Sequence, residues 1–376
     1  MVQSISRSLP TPAARPPPPH YQTILTPLLH RRFAHACLIS LGFCYLEAII
    51  ISDKSNFFWV LFPISMTGLK CFVLFFLSAM PLLILRIAQL HVVKRAHSSP
   101  FHAFQRAIGS FATYSAIFTY VLSSVVFMTL YLLSCGPEDQ LGVVVEGRSY
   151  ERPRLNERFL YLVFFSVFIG VFRGCAHVYY DRARLVFPEV PYASYKDAGA
   201  AQIPTVAWNV GYYVSFFSIF GPLVYFPFRY ILWSHTLAFA RHFYWLNRSA
   251  ALPSFPVGPT LFIRSCFLAL MIVLSSEVSH AAFNAFFTED PFQGGKTITD
   301  KSSDPNGTLI TGLRTAKAPL TQVRIYSRFR RNCEWLTVST ADGLRGIEPH
   351  CPQPSRPPTR HLRRCRPQAI IMGTHP

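Results

Sequence analysis

Six ionisable side chains fall inside stretches of this chain that are otherwise apolar: Glu47, Lys70, Arg173, Arg264, Glu277 and His280. A charge in an apolar setting is costly, so each suggests either a buried pair or a pathway for protons or ions. Lys70, Arg173 and Arg264 lie near the ends of their stretches, where a long side chain can snorkel to water. Glu47 is deeper and can protonate or pair. Glu277 and His280 are three residues apart, on one face of a helix. A local hydrogen bond between them is one reading, and a polar seam joining neighbouring helices is the other. His177 and Asp181 also share a face, but Arg182 and Arg184 adjoin them, which favours an ion pair over a metal site. The nine cysteines form no CxxC, and five of them (Cys37, Cys44, Cys71, Cys175, Cys266) sit in apolar runs where they act as small hydrophobes. Neither a metal site nor a disulfide framework is expected. Without GxSxG, HExxH, a P-loop or a GxGxxG placed after a strand, no catalytic constellation and no cofactor site is expected either.

The elements that must position these residues follow from composition. The chain has 376 residues, of which 51% are apolar, 15% aromatic and only 14% charged, with 36 Lys and Arg against 18 Asp and Glu. Soluble domains carry about 25% charged residues. A chain both apolar and basic fits a membrane protein whose cationic loops face anionic leaflets. A bilayer core about 30 Å thick needs roughly 20 apolar residues in a helix. Six stretches meet that requirement within a membrane domain at 33–287, namely 33–52, 69–85, 107–133, 159–180, 204–228 and 261–287. The predicted fold is therefore an all-α membrane protein of about six transmembrane helices with disordered tails. Residues 107–133 carry no charge and form the clearest span. The weakest is 159–180, where Arg173 interrupts the apolar run, and Pro204, Pro222 and Pro227 predict kinks near 204–228. Residues 229–247 place Trp233 and Trp245 among cations and histidines, which suits either a helix lying in the interface or a short structured loop.

Residues 1–32 read as a Pro-rich tail without the apolar core of a signal peptide. Residues 288–322 begin a further extramembrane region. Lysine and arginine in the short loops number eleven on the side of the N-terminal tail and eight on the other, and the C-terminal segment adds fourteen to the first side. The positive-inside rule then puts both termini in the cytoplasm. On that orientation the Asn247-Arg248-Ser249 sequon faces the lumen and Asn306-Gly307-Thr308 does not. Arg31, Arg32, Arg86 and Arg95 form collars at span ends, where each would contribute up to ~1 kcal/mol against acidic lipid headgroups.

Several ordered strings carry a resemblance. YQTILTPLLHRRFAHACLISLGFCYLEAIII at 21–51 joins a Thr-Pro turn, a His-Arg-Arg collar and the first span, and ILRIAQLH at 84–91 closes the second. FFSIFGPLVYFP at 217–228, LPSFPVGPTLFIRS at 252–265 and FFTEDPFQGGKTITDKSSDPNGTLITGLR at 286–314 follow in order. Over roughly residues 20–320 the chain resembles the fungal transmembrane nucleoporins of the nuclear-division-cycle family. The resemblance implies six spans with both ends facing the cytoplasm or the pore. It also implies a non-catalytic anchor in the nuclear envelope, at pore complexes and spindle pole bodies, that supports pore assembly and hence mRNA and protein transport. The partners it implies are membrane lipids, other nucleoporins and spindle pole body proteins, with no specific nucleic acid and no small-molecule substrate. The alternative from a different class is a multi-span lipid-modifying enzyme or small-molecule transporter of the endoplasmic reticulum, with Glu47, Glu277 and His280 lining one polar cavity.

After Gln322 the family pattern would continue as a helical region, whereas residues 323–376 are rich in Arg and Pro and lack any period of 3.6 or 2. One reading is a disordered basic tail. The other is an intron read through from Gln322–Val323, since valine codons begin with GT as introns commonly do. A transcript without an intron at that junction would defeat the second reading.

Overall fold

The computed structural model describes residues 20–52, 57–92, 99–146, 152–187, 194–247, 251–289, 292–293, 296–297, 302 and 305–314. The start of the expected N-terminal tail, Arg95, the Gln322–Val323 junction and the tail 323–376 lie outside them.

Six helices are long and apolar enough to cross a membrane: Tyr21–Ile51, Phe58–Ala88, Phe111–Ser134, Glu157–Tyr179, Tyr195–Ala240 and Pro259–Thr288. In chain order the elements are α1 (Tyr21–Ile51), α2 (Phe57–Leu61), α3 (Met66–Leu74), a π-helical turn (Phe75–Ala79), α4 (Met80–Ala88), α5 (Pro100–Ile108), α6 (Phe111–Ser134), α7 (Glu157–Tyr179), α8 (Tyr195–Ala240), α9 (Pro259–Thr288) and α10 (Pro305–Arg314). The described strand is confined to two-residue hairpins, β1 (Val144–Val145) with β2 (Arg154–Leu155) and β3 (Phe292–Gln293) with β4 (Lys296–Thr297). The fold is an α-helical membrane bundle.

Helix starts are written locally. The side chains of Ser65, Ser99, Asn156 and Ser194 each accept a backbone N–H in the first turn of α3, α5, α7 and α8. Pro100 and Pro259 occupy first-turn positions, where the missing N–H has no intrahelical partner anyway. The π turn precedes Pro81, whose ring would crowd the carbonyl of Leu77 in a regular helix; a widened turn relieves that clash. The same turn brings Ser78 Oγ within 2.6 Å of Ser123 Oγ on α6.

Two elements differ from the boundaries that hydropathy suggests. α1 begins at Tyr21, well ahead of the apolar stretch at 33, so residues 21–32 are helical and not tail. α8 runs unbroken for 46 residues through Pro204, Pro222 and Pro227. At 1.5 Å per residue it is about 69 Å long, more than twice the hydrocarbon thickness. Residues 229–240, within the segment expected as a separate interfacial helix or a loop, are its last quarter. Trp233, Leu237 and Ala240 there pack with Leu155, Leu160 and Leu246 in a small cluster of their own. Prolines are tolerated in membrane-spanning helices, where the remaining backbone hydrogen bonds hold the helix together.

The most extensive helix contact is α6 on α7, followed by α8 on α9 and α1 on α9. Gly170 and Gly174, one turn apart on α7, make the first possible. A Cβ on Gly170 would stand 2.5 Å from Cα of Val121, and one on Gly174 would stand 2.5 Å from Cα of Ile117. This is the small-xxx-small arrangement that lets helix backbones touch in lipid. Behind it, Phe127, Tyr161, Phe165, Phe217 and Tyr225 are fully buried, and the rings of Tyr161 and Tyr225 meet edge to face at 5.2 Å.

The start of α1 and the ends of α4, α7 and α9 lie at one end of the bundle, here called proximal. Leu185 N–H donates to His91 O at 2.8 Å, Arg32 pairs with Glu289, and Tyr21 N–H donates to Thr311 Oγ1 at 3.2 Å. The distal end has its own ties. Arg229 donates to Glu157 Oε2 at 2.8 Å, Tyr225 OH donates to Glu157 Oε1 at 3.2 Å, and Arg264 pairs with Asp139.

The hydrogen bond from Arg264 holds the Asp139 carboxyl below the usual carboxylate range. A depressed carboxylate contributes stability above its unfolded value, near ~3.9, and loses it as pH falls through the folded value. The melting temperature of an Arg264→Gln variant should therefore lie below that of the native chain by a constant gap above about pH 4. That gap should close on further acidification, as thermal unfolding in detergent micelles across pH would read. A gap that stays open at the lowest pH the micelle tolerates would contradict the pairing.

Candidate functional site

A polar seam crosses the proximal half of the bundle and draws on five of the six spans. Its centre is Glu277 on α9, 4% exposed. Arg173 of α7 reaches its Oε1 at 2.6 Å, Arg182 from the turn after α7 pairs with the same oxygen, and Asn209 of α8 donates to Oε2 at 3.2 Å. Arg173, 2% exposed, also donates to Ser276 Oγ at 2.7 Å and lies over the ring of Tyr213, 4.6 Å from its centroid. Two guanidinium groups thus converge on one carboxylate. In lipid this is the arrangement that lets both signs be buried together.

One turn further along α9, His280 takes part in a second chain of hydrogen bonds. Arg86 Nη1 of α4 lies 2.7 Å from His280 Nδ1, and Tyr120 OH of α6 lies 2.5 Å from Nε2. A guanidinium only donates, so Nδ1 accepts and the ring proton sits on Nε2, pointing at the tyrosine oxygen. Tyr120 is then free to donate to His177 Nδ1 at 3.2 Å. Arg86 also donates to Asn284 Oδ1 and covers the ring of Phe283. Among the described residues no three His, Cys, Asp or Glu side chains converge as a metal would need. The described cysteines, Cys37, Cys44, Cys71, Cys135, Cys175 and Cys266, are free.

The seam changes the meaning of most residues singled out by type and spacing. Glu277 and His280 do not bond to each other; each faces partners on other helices, as the seam reading requires. Arg173 does not snorkel, because Glu277 neutralises it in place. Asp181 pairs with His91 at 2.9 Å. Arg32 and Arg86, expected at lipid headgroups, are turned inward and are each 3% exposed. Arg32 donates to Glu289 O at 2.6 Å. Arg31 is exposed on α1. Glu47 stands apart from the seam: it is 1% exposed, Ser275 is the polar side chain beside it, and its oxygens accept no hydrogen bond of ordinary length. A cleft at the proximal end is lined by Glu277 and His280 but not by Glu47. Tyr120, Asn209 and Asn284 escaped notice because neutral polar residues are unremarkable in sequence, where His177 and Arg182 read only as parts of a local ion pair. The Gly170-x-x-x-Gly174 spacing inside an apolar stretch was the one local signal available for the close helix contact.

Comparison with known proteins bears on what such a bundle is for. The family described as Nucleoporin protein Ndc1-Nup matches residues 27–324. The chain belongs to that family. Nucleoporin NDC1 of Chaetomium thermophilum is 29% identical over 315 residues, covering 79% of this chain and 48% of that protein. Nuclear envelope protein ndc1 of Schizosaccharomyces pombe is 26% identical over 324 residues, covering 80% of this chain and 50% of that protein. The chain spans about half the length of these curated relatives. The family is one of nucleoporins, and the six long apolar helices make the chain a membrane-spanning member of it.

Proposed function

We propose that the chain is an integral, multi-pass anchor of the nuclear pore complex, seated in the pore membrane of the nuclear envelope with both ends of its membrane domain toward the cytoplasm and pore. The observation that carries this reading is the meeting of α1 and α10 at the proximal end, through the bond from Tyr21 N–H to Thr311 Oγ1. An even number of crossings returns the chain to the face where it entered, and the excess of Lys and Arg in the proximal loops supports a cytoplasmic setting for that face. Tyr21 and α10 then share the face on which other nucleoporins and spindle pole body proteins would be engaged during assembly. The seam makes the bundle a rigid platform for them. The family match ends at residue 324, which supports a change of sequence character near Gln322–Val323.

Fluorescence of the tagged chain tests the placement. The expected result is a punctate nuclear rim that resists carbonate extraction, with protease accessibility of the N-terminal segment and of Asp304–Gly307 from the same side. A diffuse reticular signal, or opposite accessibility of the two segments, would refute it.

A further inference from the structure

We propose that the proximal end of the bundle holds a binding cleft for one acidic phospholipid, taken from the surrounding leaflet. A cleft of about 1650 Å³ opens there between α5, the first turns of α6 and α8, and the last turns of α7 and α9. Its wall includes Phe104, Ile117, Val178 and Val206, side chains that suit hydrocarbon. Around it stand Arg86, Arg106, Arg182 and Arg184 against only two acids, Asp181 and Glu277. Both acids are already engaged, Glu277 by Arg173 and Arg182 and Asp181 by His91. Arg86 bonds only to the neutral groups of His280 and Asn284. The side chain of Arg184 donates to the Val92 carbonyl. Arg86, Arg106 and Arg184 therefore have no salt bridge among the described residues.

Arg106 and Arg184, two guanidinium groups without a salt bridge among the described residues, beside an apolar-walled cleft call for an anion with a hydrocarbon body. Size separates that ligand from a free anion. Small-molecule pockets occupy about 300–1,000 Å³, so this cleft far exceeds a phosphate and suits a headgroup with its glycerol and upper acyl chains. Position separates it from a soluble metabolite. The helix ends that frame the cleft are where the spans leave the hydrocarbon, the depth at which lipid phosphates lie. α5 adds an interfacial shelf: its residues Phe101, Phe104 and Ile108 are exposed on a nine-residue helix that buries no side chain. Arg106, in its last turn, is placed to meet the phosphate. The inference rests on the membrane-spanning fold and not on which cellular membrane holds it, so its failure would leave the pore assignment untouched.

The test uses the full chain purified in a neutral detergent, with thermal unfolding followed as lipid is added and native mass spectrometry counting bound lipids. Phosphatidic acid and phosphatidylinositol should raise the melting temperature with one lipid retained per chain, whereas phosphatidylcholine and inorganic phosphate should not. A cation near an acidic headgroup contributes about fivefold in affinity. Arg106→Gln alone should weaken the acidic lipid about fivefold, and with Arg184→Gln about 30-fold, with the lipid-free melting temperature unchanged for the exposed Arg106 variant. Equal stabilisation by phosphatidylcholine, the full shift from phosphate alone, or undiminished binding by Arg106→Gln would overturn the proposal.

Discussion

Glu277→Ala is expected to cost the membrane domain roughly 3–5 kcal/mol, because it strands Arg173 and Arg182 in a dry interface. The asymmetry of the three partners orders the variants. Arg173 is 2% exposed and Arg182 17%, so Arg182 can turn to water when its partner is lost and Arg173 cannot. Arg173→Ala leaves Glu277 still neutralised by Arg182, and Arg182→Ala leaves the more deeply buried pair intact. The expected order of damage is Glu277→Ala, then Arg173→Ala, then Arg182→Ala. Replacing both charges, Arg173→Met with Glu277→Leu, should recover most of the loss, since an apolar pair of similar volume removes the uncompensated charge. Cys44 and Cys71 are buried in the core whereas Cys175 is exposed, so labelling by a thiol-reactive fluorophore beyond the native level reports unfolding in detergent. A Glu277→Ala chain melting with the native one would remove the seam from the account of stability.

Gly174→Leu should be still more damaging, because the contact it breaks is between backbones. Even the Cβ of alanine would stand 2.5 Å from Cα of Ile117. No rotamer change relieves that clash, and α6 and α7 must separate. Overpacking of a core by flexible side chains costs about 1–3 kcal/mol; parting the most extensive helix pair in the bundle costs more and opens the seam that Tyr120 and His177 share. Gly170→Leu should behave alike through Val121. Gly211→Ala is the internal control: nothing lies within 4 Å of its Cβ, and alanine improves helix propensity by about 1 kcal/mol. The expected readout is loss of folded protein on size exclusion for the Gly170 and Gly174 variants, and full recovery for Gly211→Ala. Folded Gly174→Leu protein in normal yield would show that α6 and α7 are not in backbone contact.

Much of this architecture was open to reading along the chain. The uncharged run around 107–133 and the apolar runs flanking it mark helices because a hydrocarbon slab demands length and apolarity, both sums over neighbouring residues. Basic residues cluster in alternate loops for an equally local reason. Proline spoke less clearly: α8 passes straight through three of them, as membrane-spanning helices allow. Helix ends were also hard to place by hydropathy. α1 extends back to Tyr21, which is buried with Leu25 although the residues between them are largely exposed.

What the chain determined by itself is a basic, all-helical membrane protein with six crossings and costly charges at Glu47, Arg173 and Glu277. Which charges meet was decided only on folding. Arg86 and His280 are 194 positions apart, and Asn209 and Glu277 are 68 apart; neither distance leaves a periodicity to detect. Hydropathy is a property each segment carries alone, whereas charge neutralisation in lipid belongs to pairs, and a pair exists only once the helices have packed.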